Sequence, residues 1–192
     1  MIKALPVRIL AAGLLLTAML VVLVVFEDRA RAAGREVALP MEAFDPRSLL
    51  TGHYVALQLT QRLAPGQACP SRTQPIQEGG WLALRAADGR FMGAGDTREA
   101  ALAAGGDVAV RGGVYCSRVM IERAEADAVI LDVGVDRFHA DQDEAEAMEK
   151  VLRARRGGRP VPAFAVVSVG QDGRARLKGV ILDGKRTDLT WW

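Results

Sequence analysis

Few side chains in this 192-residue chain are of the kind that does chemistry, and most of them are scattered. The densest set lies in "DPRSLLTGHYVALQLT", from Asp45 to Thr60. Asp45, Arg47, Ser48, His53 and Tyr54 there supply a carboxylate, a guanidinium, a hydroxyl, an imidazole and a phenol. A serine nucleophile needs a base within hydrogen-bond reach. The later lysines, Lys150, Lys178 and Lys185, fall on other elements, and nothing local activates Ser48. His53 and His139 together with Cys69 and Cys116 make a Cys₂His₂ donor set for zinc. Their spacings are wide and unpatterned, so no metal site is expected. No catalytic residue and no cofactor are expected either. The acidic run Asp141, Asp143, Glu144 and Glu146 lacks the glycine and ligand periodicity of a calcium loop. It reads instead as the acid-rich start of a helix.

The two cysteines have no CxxC spacing. In an oxidising compartment Cys69 and Cys116 can form one disulfide, worth a few kcal/mol in the chain-entropy model. Two separate buried thiols are the other reading.

The elements that would position these groups begin with a run of a different kind. From Ile9 to Phe26, "ILAAGLLLTAMLVVLVVF" carries no charge. As a helix it is about 27 Å long, close to the hydrocarbon thickness of a bilayer. Lys3 and Arg8 precede it, and Ala30-Arg31-Ala32 offers an A-x-A-like cleavage site. A signal-peptide apolar region is usually shorter, about 7–15 residues. A retained anchor is therefore expected, with residues 1–8 cytoplasmic, 9–26 in the bilayer, 27–35 a charged linker, and 36–192 a domain outside the cytoplasm. Arg29, Arg31 and Arg35 outnumber Lys3 and Arg8, which works against that orientation. An N-terminal anchor with no later spanning segment nevertheless usually delivers its C-terminal domain outward. Of 25 Lys and Arg, only Lys3 and Arg8 precede the run, and all 23 Asp and Glu follow it, so the remainder is near neutral. Nucleic-acid binding, which needs a basic face, is not expected.

After the anchor the period is mostly two. "REVALP" reads as a first strand, with Val37 and Leu39 on one face. Asp45-Pro46 is a cap-and-first-position pair for one helical turn. Thr51-Gly52 then turns the chain into a strand in which Val55, Leu57 and Leu59 share a face. Residues 62–80 are rich in proline, glycine and glutamine and read as a long loop. "WLALRA", "ADGR" and "FMGAG" form a hairpin. "DTREAALAAGG" is a short helix with Asp96 as cap and Glu99 three residues on. "DVAVRGGV", "SRVMIERA" and "DAVILDVGVDRF" are further strands. "ADQDEAEAMEKVLRARRGG" is an amphipathic helix with Ala145, Met148, Val151 and Leu152 as its apolar stripe and Gly157-Gly158 as its stop. "VPAFAVVSVG" and "RARLKGVILDG" make a closing hairpin, and "KRTDLTWW" a last strand. The fold class expected is mainly β, an antiparallel sheet or barrel-like sandwich, with one α-helix plus the N-terminal transmembrane helix.

These residues resemble the GDYXXLXY family of bacterial membrane-anchored proteins. Its motif has the form V-D-P-R-D-L-x-x-G-D-Y-x-x-L-x-Y. Here "FDPRSLLTGHYVALQL" places Asp45, Pro46, Arg47, Leu49, Gly52, Tyr54 and Leu57 at matching positions. "VGVDRFHADQDEAEAMEKVL" and "VVSVGQDGRARLKGVILDG" are similar to later parts of the family. Ser48 and His53 stand where the family has aspartates, and Leu59 where it has the final tyrosine. The resemblance implies a single-pass protein of the bacterial inner membrane with its domain in the periplasm, and no known reaction.

The expected function is that of a periplasmic accessory or interaction domain. Its partners would be the lipid bilayer, through residues 9–26, and another envelope or membrane protein. The alternatives are a peptidase-like envelope hydrolase using Ser48 or Asp45, or a small-ligand-binding barrel. An anchor followed by a serine is also the layout of signal-peptidase-type Ser–Lys enzymes. Their serine lies well before the glycine, whereas Ser48 is four residues from Gly52. Asp45, Pro46, Arg47, Gly52, Tyr54 and Leu57 are the candidate site, with a structural or binding role.

Overall fold

A computed structural model of the chain describes residues 5–43, 54–63, 80–121, 124–135, 137–139, 142–156 and 159–189. It opens with α1, Leu5–Ala33, whose apolar side chains from Val7 to Phe26 are exposed. This helix is long and apolar enough to cross a membrane. The charged residues from Glu27 on, expected as a linker, instead continue the helix to Ala33.

The strands follow. β1 is Arg35–Pro40, β2 Glu42–Ala43, β3 Tyr54–Arg62, β4 Trp81–Arg85 and β5 Arg90–Gly95. The short α2, Arg98–Leu102, precedes β6, Val108–Arg111, β7, Gly113–Ile121, β8, Ala124–Asp132, and β9, Arg137–His139. After α3, Gln142–Arg153, come β10, Arg155–Arg156, β11, Arg159–Pro160, β12, Ala163–Val169, β13, Ala175–Leu182, and β14, Lys185–Asp188. All pairings are antiparallel. The first sheet runs β1-β12-β13-β14, the second β2-β3-β8-β7 with β9 also on β3, and the third β5-β4-β6; β10 and β11 form a small ribbon. The fold is mainly β, as the alternation implies.

One core joins the three larger sheets. Val37, Leu39, Ala165 and Val167 of the first sheet pack with Leu57, Leu59, Val129 and Leu131 of the second and Leu82, Leu84 and Val110 of the third. Apolar burial of this kind contributes about 25 cal/mol per Å². α3 adds Met148, which is buried, and Val151 and Leu152, which pack against the core. Three residues of the expected stripe, Met148, Val151 and Leu152, therefore face the core, and the helix ends at Arg153, before Gly157 and Gly158.

α2 is capped by Thr97, not by Asp96. Thr97 is extended, and its hydroxyl accepts a hydrogen bond from Ala100 N. A cap must leave helical geometry while its side chain reaches forward, and Thr97 meets both conditions one residue later than expected. The β4–β5 turn is fixed by Gly89, whose φ is +65°. A Cβ there would lie 2.1 Å from the Ala38 carbonyl oxygen of β1, so only glycine lets the turn sit against that strand.

Candidate functional site

Two places concentrate polar side chains on framework elements. The first is the strand expected from the motif. β2 pairs with β3 through Ala43 and Leu57, so residues 44–53 connect two adjacent strands. Asp45, Pro46, Arg47, Ser48, Gly52 and His53 lie outside the described residues, as does Cys69. Tyr54 pairs through its backbone with His139 of β9. Leu57 and Leu59, two residues apart and hence on one face, are both buried. The final-tyrosine position of the motif is thus a core position, filled here by leucine. Cys116, on β7, is disulfide-bonded.

Further along β3 is a residue the sequence does not advertise. Gln61 is only 8% exposed. Its Nε2 donates to Gly89 O at 2.7 Å, and its Oε1 accepts from Phe91 N at 2.8 Å. A carboxamide has both donor and acceptor, so it can satisfy both backbone groups at once. Gln61 shares the parity of Leu57 and Leu59, which was the available signal for its inward side chain.

The second place is the junction between α1 and the first sheet. Arg176, on β13, is 8% exposed, and three of its contacts define the site. Its Nε donates to Glu27 Oε1 at 2.5 Å, and its Nη2 to Asp172 Oδ2 at 2.9 Å. Nη1 reaches Asp172 Oδ1 at 3.2 Å. Asp172, in the β12–β13 turn, also accepts from Arg174 N. The Arg176 guanidinium holds the Asp172 carboxyl below the usual carboxylate range, and the two carboxylates push the Arg176 pKa up. A guanidinium presents a planar fork suited to such carboxylates. Arg31 adds a bond from Nη2 to Leu189 O at 3.1 Å.

Around this centre the start of β1 is also secured. Arg35 Nη2 meets Asp107 Oδ2 at 2.7 Å, joining β1 to the loop before β6. Glu36 bonds Lys178 and Arg186, and these cations lower its pKa, the Lys178 bond most. Gly34 lies against β12: a Cβ there would come within 2.1 Å of Ser168 Oγ and 3.0 Å of Val169 C. The absence of a side chain lets the end of α1 press onto the sheet.

None of these carboxylates converges on a shared donor set, and among the described residues no three His, Cys, Asp or Glu side chains are placed to hold a metal. The perturbed carboxylates Asp172 and Glu36 are bonded to cations, Asp172 also to a backbone N–H, and Arg176 to two carboxylates.

Fold and junction together define a class: an antiparallel β protein led by a helix long and apolar enough to span a membrane, with that helix bonded into the sheet. The family model described as GDYXXLXY protein matches residues 16–180, and the chain belongs to that family. The matched range includes the second half of the apolar run, β1 to β12 and most of β13. No curated protein and no solved structure matches the chain.

Proposed function

We propose that this is a single-pass protein of a bacterial inner membrane, N-terminus in the cytoplasm, whose β domain stands in the periplasm as an accessory to another envelope protein. The observation that carries this reading is the union of anchor and domain. α1 passes without a break from apolar residues into charged turns bonded to the sheet through Glu27 and Arg31. Cleavage after Ala32 would discard both bonds, which favours a retained anchor over a signal peptide. A domain fixed to its anchor in this way is suited to presenting a surface at a set position above the bilayer.

The cysteines support the compartment. Cys116 is disulfide-bonded, and Cys69 is the other cysteine of the sequence. We assign the pair to each other, in keeping with an oxidising periplasm. Asp45, Pro46, Arg47, Gly52 and Tyr54 are assigned an architectural role, bringing the chain into β3 so that Leu57 enters the core.

Mild crosslinking of the full chain in its native envelope tests the accessory role. A defined membrane protein should be recovered with it. Recovery of the chain alone would overturn the role, and a C-terminal reporter active only in the cytoplasm would overturn the orientation.

A further inference from the structure

The junction fixes more than the attachment; it sets which part of the domain faces the lipid. Two contacts, one at each end of the last turns of α1, give the direction. At the upper end Gly34 packs on Ser168 and Val169, the last residues of β12. Seven residues earlier, about 10 Å down the helix, Glu27 meets the Arg176 guanidinium beside Asp172. Residues 170–173 close a tight turn, and Asp172 in it shares the Arg176 guanidinium with Glu27. Helix end and hairpin end therefore run side by side, and the β12–β13 turn returns to the level of Glu27. That level is one residue beyond Phe26, where the exposed apolar surface of α1 stops.

A second pair of residues sits on this turn. Arg111 donates from its backbone N to Gly173 O at 2.7 Å and from Nε to Asp172 O at 3.0 Å. Its guanidinium carbon lies 4.8 Å from the centroid of the Trp81 ring. Gly173, with φ +77°, is pressed so close to Trp81 that a Cβ would come within 2.4 Å of the ring. Arg111 and the neighbouring Arg174 are exposed, and Trp81 is half-buried. A tryptophan with an apolar body and a polar edge, flanked by arginines, is the composition favoured at the membrane–water interface. Basic side chains there are drawn to an anionic lipid surface, an attraction that fades within about a Debye length.

We propose that the β12–β13 turn, with Trp81, Arg111 and Arg174, is a foot that rests on the headgroups of the bilayer holding α1, its arginines meeting lipid phosphates. This rests on α1 being a retained anchor, and the two ideas fail separately.

The test uses the full chain with Trp191→Phe and Trp192→Phe, leaving Trp81 as the fluorophore. It is reconstituted in vesicles of phosphatidylethanolamine and phosphatidylglycerol carrying nitroxide either on the headgroup or at mid-chain. Headgroup nitroxide should quench Trp81 and mid-chain nitroxide should not. Arg174→Glu, an exposed change, should lose most of the quenching while leaving the near-ultraviolet dichroism unaltered. Trp81 left unquenched in a chain that floats with the vesicles overturns the foot and spares the anchor. Quenching unaffected by Arg174→Glu overturns the role of the arginine. A chain that does not float with the vesicles overturns both.

Discussion

At the scale of single residues, Gln61 shows how one polar side chain can hold two elements of a β protein in place. It closes the gap between β3 and the β4–β5 hairpin by answering one carbonyl and one N–H. Leaving those backbone groups buried without partners costs about 1–3 kcal/mol each. Gln61→Ala should therefore lower stability by roughly 2–4 kcal/mol, measured as a shift in the thermal midpoint of the detergent-solubilised chain. Gln61→Glu should be no milder, because a carboxylate oxygen would face the Gly89 carbonyl. Alternation pointed Leu57 and Leu59 inward correctly. It stopped at Gln61 because a polar residue normally marks an outward position. Thr60 is buried as well, so this end of β3 is covered on both faces and period two no longer separates inside from outside.

At the scale of elements, strands and the amphipathic α3 were legible, because period two and an acid-to-basic gradient are local signals. The extent of α1 was not. Glu27, Asp28 and Arg29 look like a break between membrane and domain. What keeps them helical and docked includes a partner 149 residues away, Arg176, which no local pattern displays. The cap of α2 was displaced by one residue for a similar reason, since Asp96 and Thr97 are both competent caps. The junction has a pH signature. Asp172 and Glu36 have lowered pKa values, so they favour the folded state fully above the ordinary carboxylate range, near 4. That contribution is withdrawn as pH falls through this range to the depressed native values. Because the Asp172 carboxylate is nearly half exposed and Arg176 keeps Glu27, Asp172→Ala should destabilise the chain by only about 0.5–1.5 kcal/mol at pH 7. The difference from the unsubstituted chain should shrink in thermal melts taken at progressively more acid pH below 4. A difference constant down to strongly acid pH would contradict the assigned charge pairing.

At the scale of the whole molecule, the three larger sheets share one core, and α1 is bonded to the first of them. Most of the fold class could be read from the sequence, because it depends on periodicity and turn residues. How the sheets meet depends on contacts such as Gly89 against Ala38 and Arg35 with Asp107, which join residues far apart in the chain. The candidate site was less legible still. The motif advertised itself by residue type, whereas the junction is assembled from an acid after the apolar run, a turn aspartate and a strand arginine. Each of these is unremarkable alone. Arg176 lies near the end of the matched range, and Glu27 within it.

The unbroken helix makes residue number a compass for the domain. Each residue added to an α-helix turns everything beyond it by about 100° and lifts it by 1.5 Å. One alanine inserted after Phe26 leaves the Glu27–Arg176 bond intact, since both residues lie beyond it, and turns the docked domain by about 100° relative to the apolar segment, so distances between spin labels placed before Phe26 and on β13 should change. Seven inserted residues, about two turns, would restore the azimuth. The domain would then face its original direction, raised by about 10 Å, while label distances from Glu27 onward stay unchanged in both insertions. Whatever holds the apolar part of α1 would thereby fix which side of the β domain is presented to a neighbour.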